Sequence, residues 1–286
     1  QAKPLNDYAS PNNYLNSKKP QEQESEVDTC SNPPCPCPNV KGKVHGTEIC
    51  ISKTSLVFPN GDSVFFPFYV RLIEIYTPAE MIYSQLPTVS GGDILETAGE
   101  IRVKTYKNKG AVNELNLRSG QAYSVKMPNA SPKNYMHTYY GTESPANLDW
   151  ATNTVTVNWS DGGVVFADTP SGFYSSPIVN LGWLNCDYNK AALPSYNLTF
   201  TSKTDKLNNV AIFVYIPATK TVMQVNNMVS GNIPSGSAVK IICIGVRADN
   251  SIWKYYQTLT VSSSQSVNVT MVSSSDADLT STLNGL

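Results

Sequence analysis

The sequence predicts an all-β chain: two β-sandwich domains, the second immunoglobulin-like or transthyretin-like, preceded by an extended N-terminal arm. Three observations carry this. Short runs alternate apolar and polar residues with period two, as where Val155, Val157 and Trp159 alternate with Thr154, Thr156 and Asn158, the pattern of half-buried strands. Turn-forming clusters separate the runs, among them Pro59-Asn60-Gly61-Asp62, Ser90-Gly91-Gly92-Asp93 and Asp161-Gly162-Gly163. Only 15% of the residues are charged, and there are 16 tyrosines, a balance that suits extracellular β proteins better than helical bundles.

A chain of 286 residues, 41% of them hydrophobic, is longer than one ordinary domain and has enough apolar residues for two cores. The expected division is residues 1–46 as a Cys- and Pro-rich arm, 47–170 as the first sandwich and 171–286 as the second. The arm is poor in aliphatics and rich in Pro, Asn, Gln, Ser and Lys, so it cannot order itself. Tyr8, Tyr14 and Leu15 are its side-chain anchors. They are expected to contact a partner subunit, with strand addition at a sheet edge as the mode of docking.

The first sandwich is built around Val64–Tyr76. There Phe66, Phe68, Val70 and Leu72 point one way and Tyr69, Ile73 and Ile75 the other, which predicts a strand buried on both faces. Thr77-Pro78-Ala79-Glu80 then supplies an N-cap threonine, a first-turn proline and a glutamate three residues after the cap, a capping box that predicts a short helix. Ile101, Val103 and Thr105 alternate with Arg102, Lys104 and Tyr106 as a strand with one face toward water. In the second half, strands are predicted at 196–201, 210–216, 221–225, 239–246, 252–261 and 267–272, followed by a short terminal helix capped near Asp276 and ending before Gly285.

The six cysteines Cys30, Cys35, Cys37, Cys50, Cys186 and Cys243 fit three disulfides in an oxidising compartment. Cys186 and Cys243 stand alone in strand-like segments and are expected to pair, a closure worth roughly 4 kcal/mol on the chain-entropy model. The other four leave their connectivity open, with Cys35–Cys37 disfavoured by disulfide geometry. Their spacing, Cys-x4-Cys-x-Cys-x12-Cys, lacks the paired knuckles of structural zinc sites.

Glu80-Met81-Ile82, Leu95-Glu96-Thr97-Ala98-Gly99-Glu100-Ile101, Leu115-Asn116-Leu117, Met127-Pro128 and Leu181-Gly182-Trp183-Leu184-Asn185-Cys186-Asp187 resemble a pattern in uncharacterised secreted proteins and surface lipoproteins of Bacteroidota, over most of residues 47–286. The resemblance implies a β-sandwich protein of the cell envelope and carries over no catalytic residues. The first residue is Gln1 rather than the cysteine of a processed lipoprotein; a removed signal peptide, and no direct lipid anchor, are expected.

A formal net charge of -1 gives no basic footprint for nucleic acid, and no apolar run reaches the ~20 residues of a transmembrane helix. The two histidines, His45 and His137, form no metalloprotease motif, and no nucleophile elbow or phosphate loop is present. Glu74, Glu96 and Glu100 supply carboxylates without a spacing that brings a pair to one cleft. Asp161, Asp276 and Asp278 read as turn and cap residues. Tyr135, Tyr139, Tyr140, Trp150 and Trp159 are the recognition candidates. The expected function is therefore a non-catalytic, cofactor-free secreted or cell-envelope structural protein whose arm docks on a neighbour. The alternative is a carbohydrate-binding surface module.

Overall fold

The structure is a computed structural model that describes residues 4–28, 38–145, 155–190 and 194–286. It is mostly β, with antiparallel sheets that pack face to face. A seven-stranded sheet runs in the order Gln23–Val27, Phe68–Ile75, Asp93–Tyr106, Gly182–Asn189, His137–Pro145, Val155–Val164, with Val89–Ser90 paired to the third of these. A five-stranded sheet, Phe166–Asp168, Phe173–Ile178, Tyr123–Pro128, Glu48–Cys50 and Val40–Lys41, lies against one of its faces. Val70, Leu72, Ile101, Val103 and Leu184 from the first sheet meet Ile49, Val125, Met127 and Tyr174 from the second in a common core.

The other face of the seven-stranded sheet is covered by three short helices and a second five-stranded sheet. The helices are α1 (Asn12–Ser17), α2 (Pro78–Ser84) and α3 (Asp276–Asn284). The sheet runs Thr221–Gln224, Ala211–Ile216, Ser237–Val246, Ile252–Val261, Val272–Ser274. Ala211–Ile216 is buried at every position because it has a core on each side. Ala211, Phe213 and Tyr215 face the helices, while Ile212, Val214 and Ile216 face a third core with Leu198, Phe200 and Val267. Period-two alternation thus places one strand in two cores.

The helix-bearing core takes residues from both halves of the chain: Ile75, Leu95 and Trp183 on one side, Phe213, Ile242 and Ile244 on the other, with Met81, Ile82, Leu279 and Leu283 between. Helix α2 has the expected capping box. Thr77 Oγ1 accepts from Glu80 N, and Glu80 returns its carboxylate to the Thr77 amide. Helix α3 is capped by Ser275, one residue before the expected Asp276.

Three expectations are corrected. The first sandwich does not end at 170, since Phe173–Ile178 and Gly182–Asn189 are strands of its two sheets. The central strand starts at Phe68 rather than Val64 and buries mainly one face; Tyr69, Arg71 and Ile73 are only partly covered. Cys186 and Cys243 are free thiols. They lie in different cores on either side of the helix layer, so they cannot be bridged. Cys50 is disulfide-bonded, and Cys30, Cys35 and Cys37 lie outside the described residues.

The arm lies along its own chain. Gln23–Val27 adds to the edge of the seven-stranded sheet, antiparallel to Phe68–Ile75, with Glu24 opposite Arg71. Within the chain, Tyr8 is buried in the third core, Leu15 is fully buried in the helix layer and Tyr14 packs against it. Val27 completes the sequence in the first core. One polar segment therefore reaches all three cores, through Tyr8, Leu15 and Val27.

Candidate functional site

Where the arm crosses the helix face of the seven-stranded sheet, it roofs a cleft of about 330 Å³, at the lower end of the roughly 300–1,000 Å³ usual for small-molecule sites. Lys19 and Pro20, just past the end of α1, form the roof. Trp183, Arg102 and Glu143 come from three adjacent strands, and Leu86 follows α2. The strand alternation that sends Leu184 and Cys186 into the first core turns Trp183 and Asn185 to the opposite face.

The polar groups of the cleft are unequally satisfied. Trp183 Nε1 donates to Glu143 Oε1 at 2.7 Å. The Arg102 guanidinium lies over the indole at 5.3 Å and donates through Nη2 to Glu22 Oε2 of the arm at 2.7 Å, while its buried Nε has no hydrogen-bond partner among the described residues. Burial pushes the Lys19 ammonium below its usual pKa, and the neighbouring Arg102 charge pushes it further the same way. No described carboxylate pairs with Lys19.

The sequence-predicted carboxylates do not share a cleft. Glu74 is buried and accepts from Gln23 Nε2 at 2.8 Å and from the amides of Thr47 and His45 at 2.9 and 3.2 Å. It therefore fastens the loop before Glu48–Cys50 to the central strand. Glu96 is held by Lys133 and Lys190. Glu100 is fully buried opposite Asn185 in the strand register, with neither oxygen hydrogen-bonded among the described residues. Asp187, just past a bulge in the same ladder, is also fully buried. It accepts from Asn185 Nδ2 through Oδ2 and leaves Oδ1 unpartnered. Burial pushes both carboxyls well above the usual range, and the Asp187 charge adds to the effect on Glu100.

The remaining candidates are dispersed. His45 Nε2 lies 2.8 Å from Glu80 Oε1, an interaction that raises the imidazole pKa against the opposing effect of burial. His137 Nδ1 pairs with Asp161 at 2.8 Å. Cys186 sits in the first core, where burial and Asp187 push its thiol pKa well up; such a thiol is a poor nucleophile. Tyr139 and Trp159 are in the helix-bearing core, Tyr140 packs against the first core, and Trp150 lies outside the described residues. Among the described ones only Tyr135 is exposed, tilted against Tyr188 with ring centroids 4.7 Å apart. Among the described residues no three His, Cys, Asp or Glu side chains are grouped to hold a metal, and no helix is long and apolar enough to cross a membrane.

Sequence reasoning missed Lys19, Arg102 and Glu143 as a group. Its one available signal was Trp183, an aromatic between Gly182 and Leu184 at a position where an alternating strand has two faces to serve. No family model, no curated protein and no solved structure matches the chain.

Proposed function

We propose that this chain is a non-catalytic structural or assembly protein of the extracellular side or cell envelope, and that its arm can pass from its own body to a neighbouring copy. The observation that carries the reading is the way the arm is held. Tyr8 to Asp205, Tyr14 to Asp276, Gln85 to Asn12 and Arg71 to Glu24 are all contacts between groups far apart in sequence. A second copy's arm presents the same atoms, so exchange preserves every contact and costs little enthalpy. The Gln23–Val27 strand suits such exchange: it is an edge strand, and of its five residues only Val27 is buried, so its attachment rests on ladder hydrogen bonds and surface charges.

Low charge content and the resemblance around Trp183 to Bacteroidota surface proteins are what support the extracellular setting. Sedimentation velocity over a range of protein concentrations tests the assembly role, with a Glu24→Cys/Arg71→Cys variant bridged within the chain as comparator. Directly opposed strand residues have Cβ atoms about 4.5–5.5 Å apart, so the bridge is short. The intact chain should form larger species as concentration rises and the bridged chain should stay monomeric; equal behaviour contradicts the reading.

The alternative, a carbohydrate-binding module, has one feature in its favour, the exposed Tyr135–Tyr188 pair beside Glu96, Lys133 and Lys190. Glycan-array binding by the monomer that is lost in Tyr135→Ala would favour it over assembly.

A further inference from the structure

The cleft beneath the arm combines an aliphatic interior with a cation that has no counter-ion among the described residues. Leu86, Val157 and Ile75 line it with branched apolar side chains, which offer nothing to a sugar hydroxyl but do accept a hydrocarbon body. Glu143, the carboxylate lining it, accepts from the Trp183 indole and lies 3.8 Å from Arg102, which also pairs with Glu22 of the arm. Lys19 stands beside Arg102 without a carboxylate of its own among the described residues. Arg102 is already compensated by Glu22 at 2.7 Å and Glu143 at 3.8 Å, so Lys19 is the cation left over at this partly desolvated rim, and an anion against its ammonium gains a charge-assisted hydrogen bond.

We propose that this cleft is a binding site for a small amphipathic monoanion, a carboxylate on a short aliphatic or aromatic body, with the carboxylate against Lys19 and the body between Trp183, Leu86 and Val157. Because the roof is the arm, the ligand stitches residues 19–20 to the sheet face. The site needs no catalytic group and is formed equally by a chain's own arm or a neighbour's, so it stands independently of the exchange reading.

Two features of such binding follow from the site. Salt weakens it, since one exposed end of the pair is solvated. It also weakens as pH rises through the lowered Lys19 pKa, because only the ammonium form attracts the anion.

The test is isothermal titration calorimetry of the full chain with hexanoate and with benzoate, against hexan-1-ol, benzyl alcohol and glucuronate. Saturable one-to-one binding of the two carboxylates is expected, with the alcohols weaker by about tenfold or more, the ratio that loss of a charged hydrogen bond produces. Lys19→Gln should lose that advantage and leave alcohol binding and the thermal midpoint unchanged, while Lys19→Arg should retain it. Absence of saturable carboxylate binding, equal binding of alcohols and carboxylates, undiminished binding by Lys19→Gln, or tighter binding of glucuronate would each overturn the assignment.

Discussion

The Tyr8 hydroxyl donates to Asp205 Oδ1 at 2.7 Å, joining residues 197 positions apart. Asp205 also accepts from its neighbour Thr204 Oγ1 at 2.6 Å and from the Met271 amide at 3.1 Å, so one carboxylate ties the arm to its own loop and to the segment before Val272–Ser274. Removing the hydroxyl by Tyr8→Phe should lower unfolding free energy by about 1.5–3 kcal/mol, the usual worth of a hydrogen bond to a charged group. Urea denaturation at neutral pH measures this.

Asp205 also sets an acid limit. Partial burial pushes its carboxyl up, but the hydrogen bonds from Thr204, Tyr8, Asn6 and Met271 outweigh burial and hold it below the usual value of 3.8. A depressed carboxyl contributes stability that is present above the unfolded pKa and lost as pH falls through the folded one. The chain should therefore lose stability below about pH 4, with a shallower slope in Asp205→Asn, by denaturant titration at stepped pH.

Glu100 and Asp187 act in the opposite sense. Burial raises both above their ordinary values of 4.5 and 3.8. Their contribution is fully present below those values and declines as pH rises toward and through the folded pKa. Glu100→Gln should accordingly stabilise the protein at pH 8 relative to the unsubstituted chain and make little difference at pH 4. A variant equally stable at both pH values, relative to the parent, contradicts the buried-acid account.

Leu15 is the arm's fully buried side chain in the helix layer. Leu15→Ala should cost about 2–5 kcal/mol, the range for large-to-small changes in a core, and should speed hydrogen exchange in α1 before it affects the Ala211–Ile216 strand.

Cys186 and Cys243, both free and fully enclosed, should resist a thiol reagent in the native protein and react on unfolding without reductant. Peptide mapping that finds a Cys186–Cys243 bridge would contradict their placement in separate cores.

Much of the fold was legible because it depends on local signals. The capping box at Thr77 and Glu80 needs four consecutive residues, and Ala211–Ile216 and Ile252–Val261 announce themselves by period and length. Strand addition by the arm was expected, but not at Gln23–Val27: Gln-Glu-Ser-Glu-Val has no apolar alternation, and its pairing depends on Phe68–Ile75 lying more than forty residues away. Phe173–Ile178 and Gly182–Asn189 were assigned to the wrong half for the same reason, since strand pairing is non-local. The cleft was hidden more deeply. Lys19, Arg102, Glu143 and Trp183 are scattered through the sequence, and each has an ordinary solvated or core role until the arm closes over the sheet.

The most direct test of the proposed exchange mixes isotope-labelled and unlabelled chains carrying Glu24→Cys and Arg71→Cys, allows them to assemble, bridges the introduced thiols and identifies the joined peptides by mass spectrometry. If arms pass between copies, the assembled fraction must contain bridges that join a labelled arm peptide, carrying the Glu24→Cys change, to an unlabelled central-strand peptide carrying Arg71→Cys, and the reverse. Bridges found only between peptides of the same label would show that each arm stays on its own body, and the assembly role would fall.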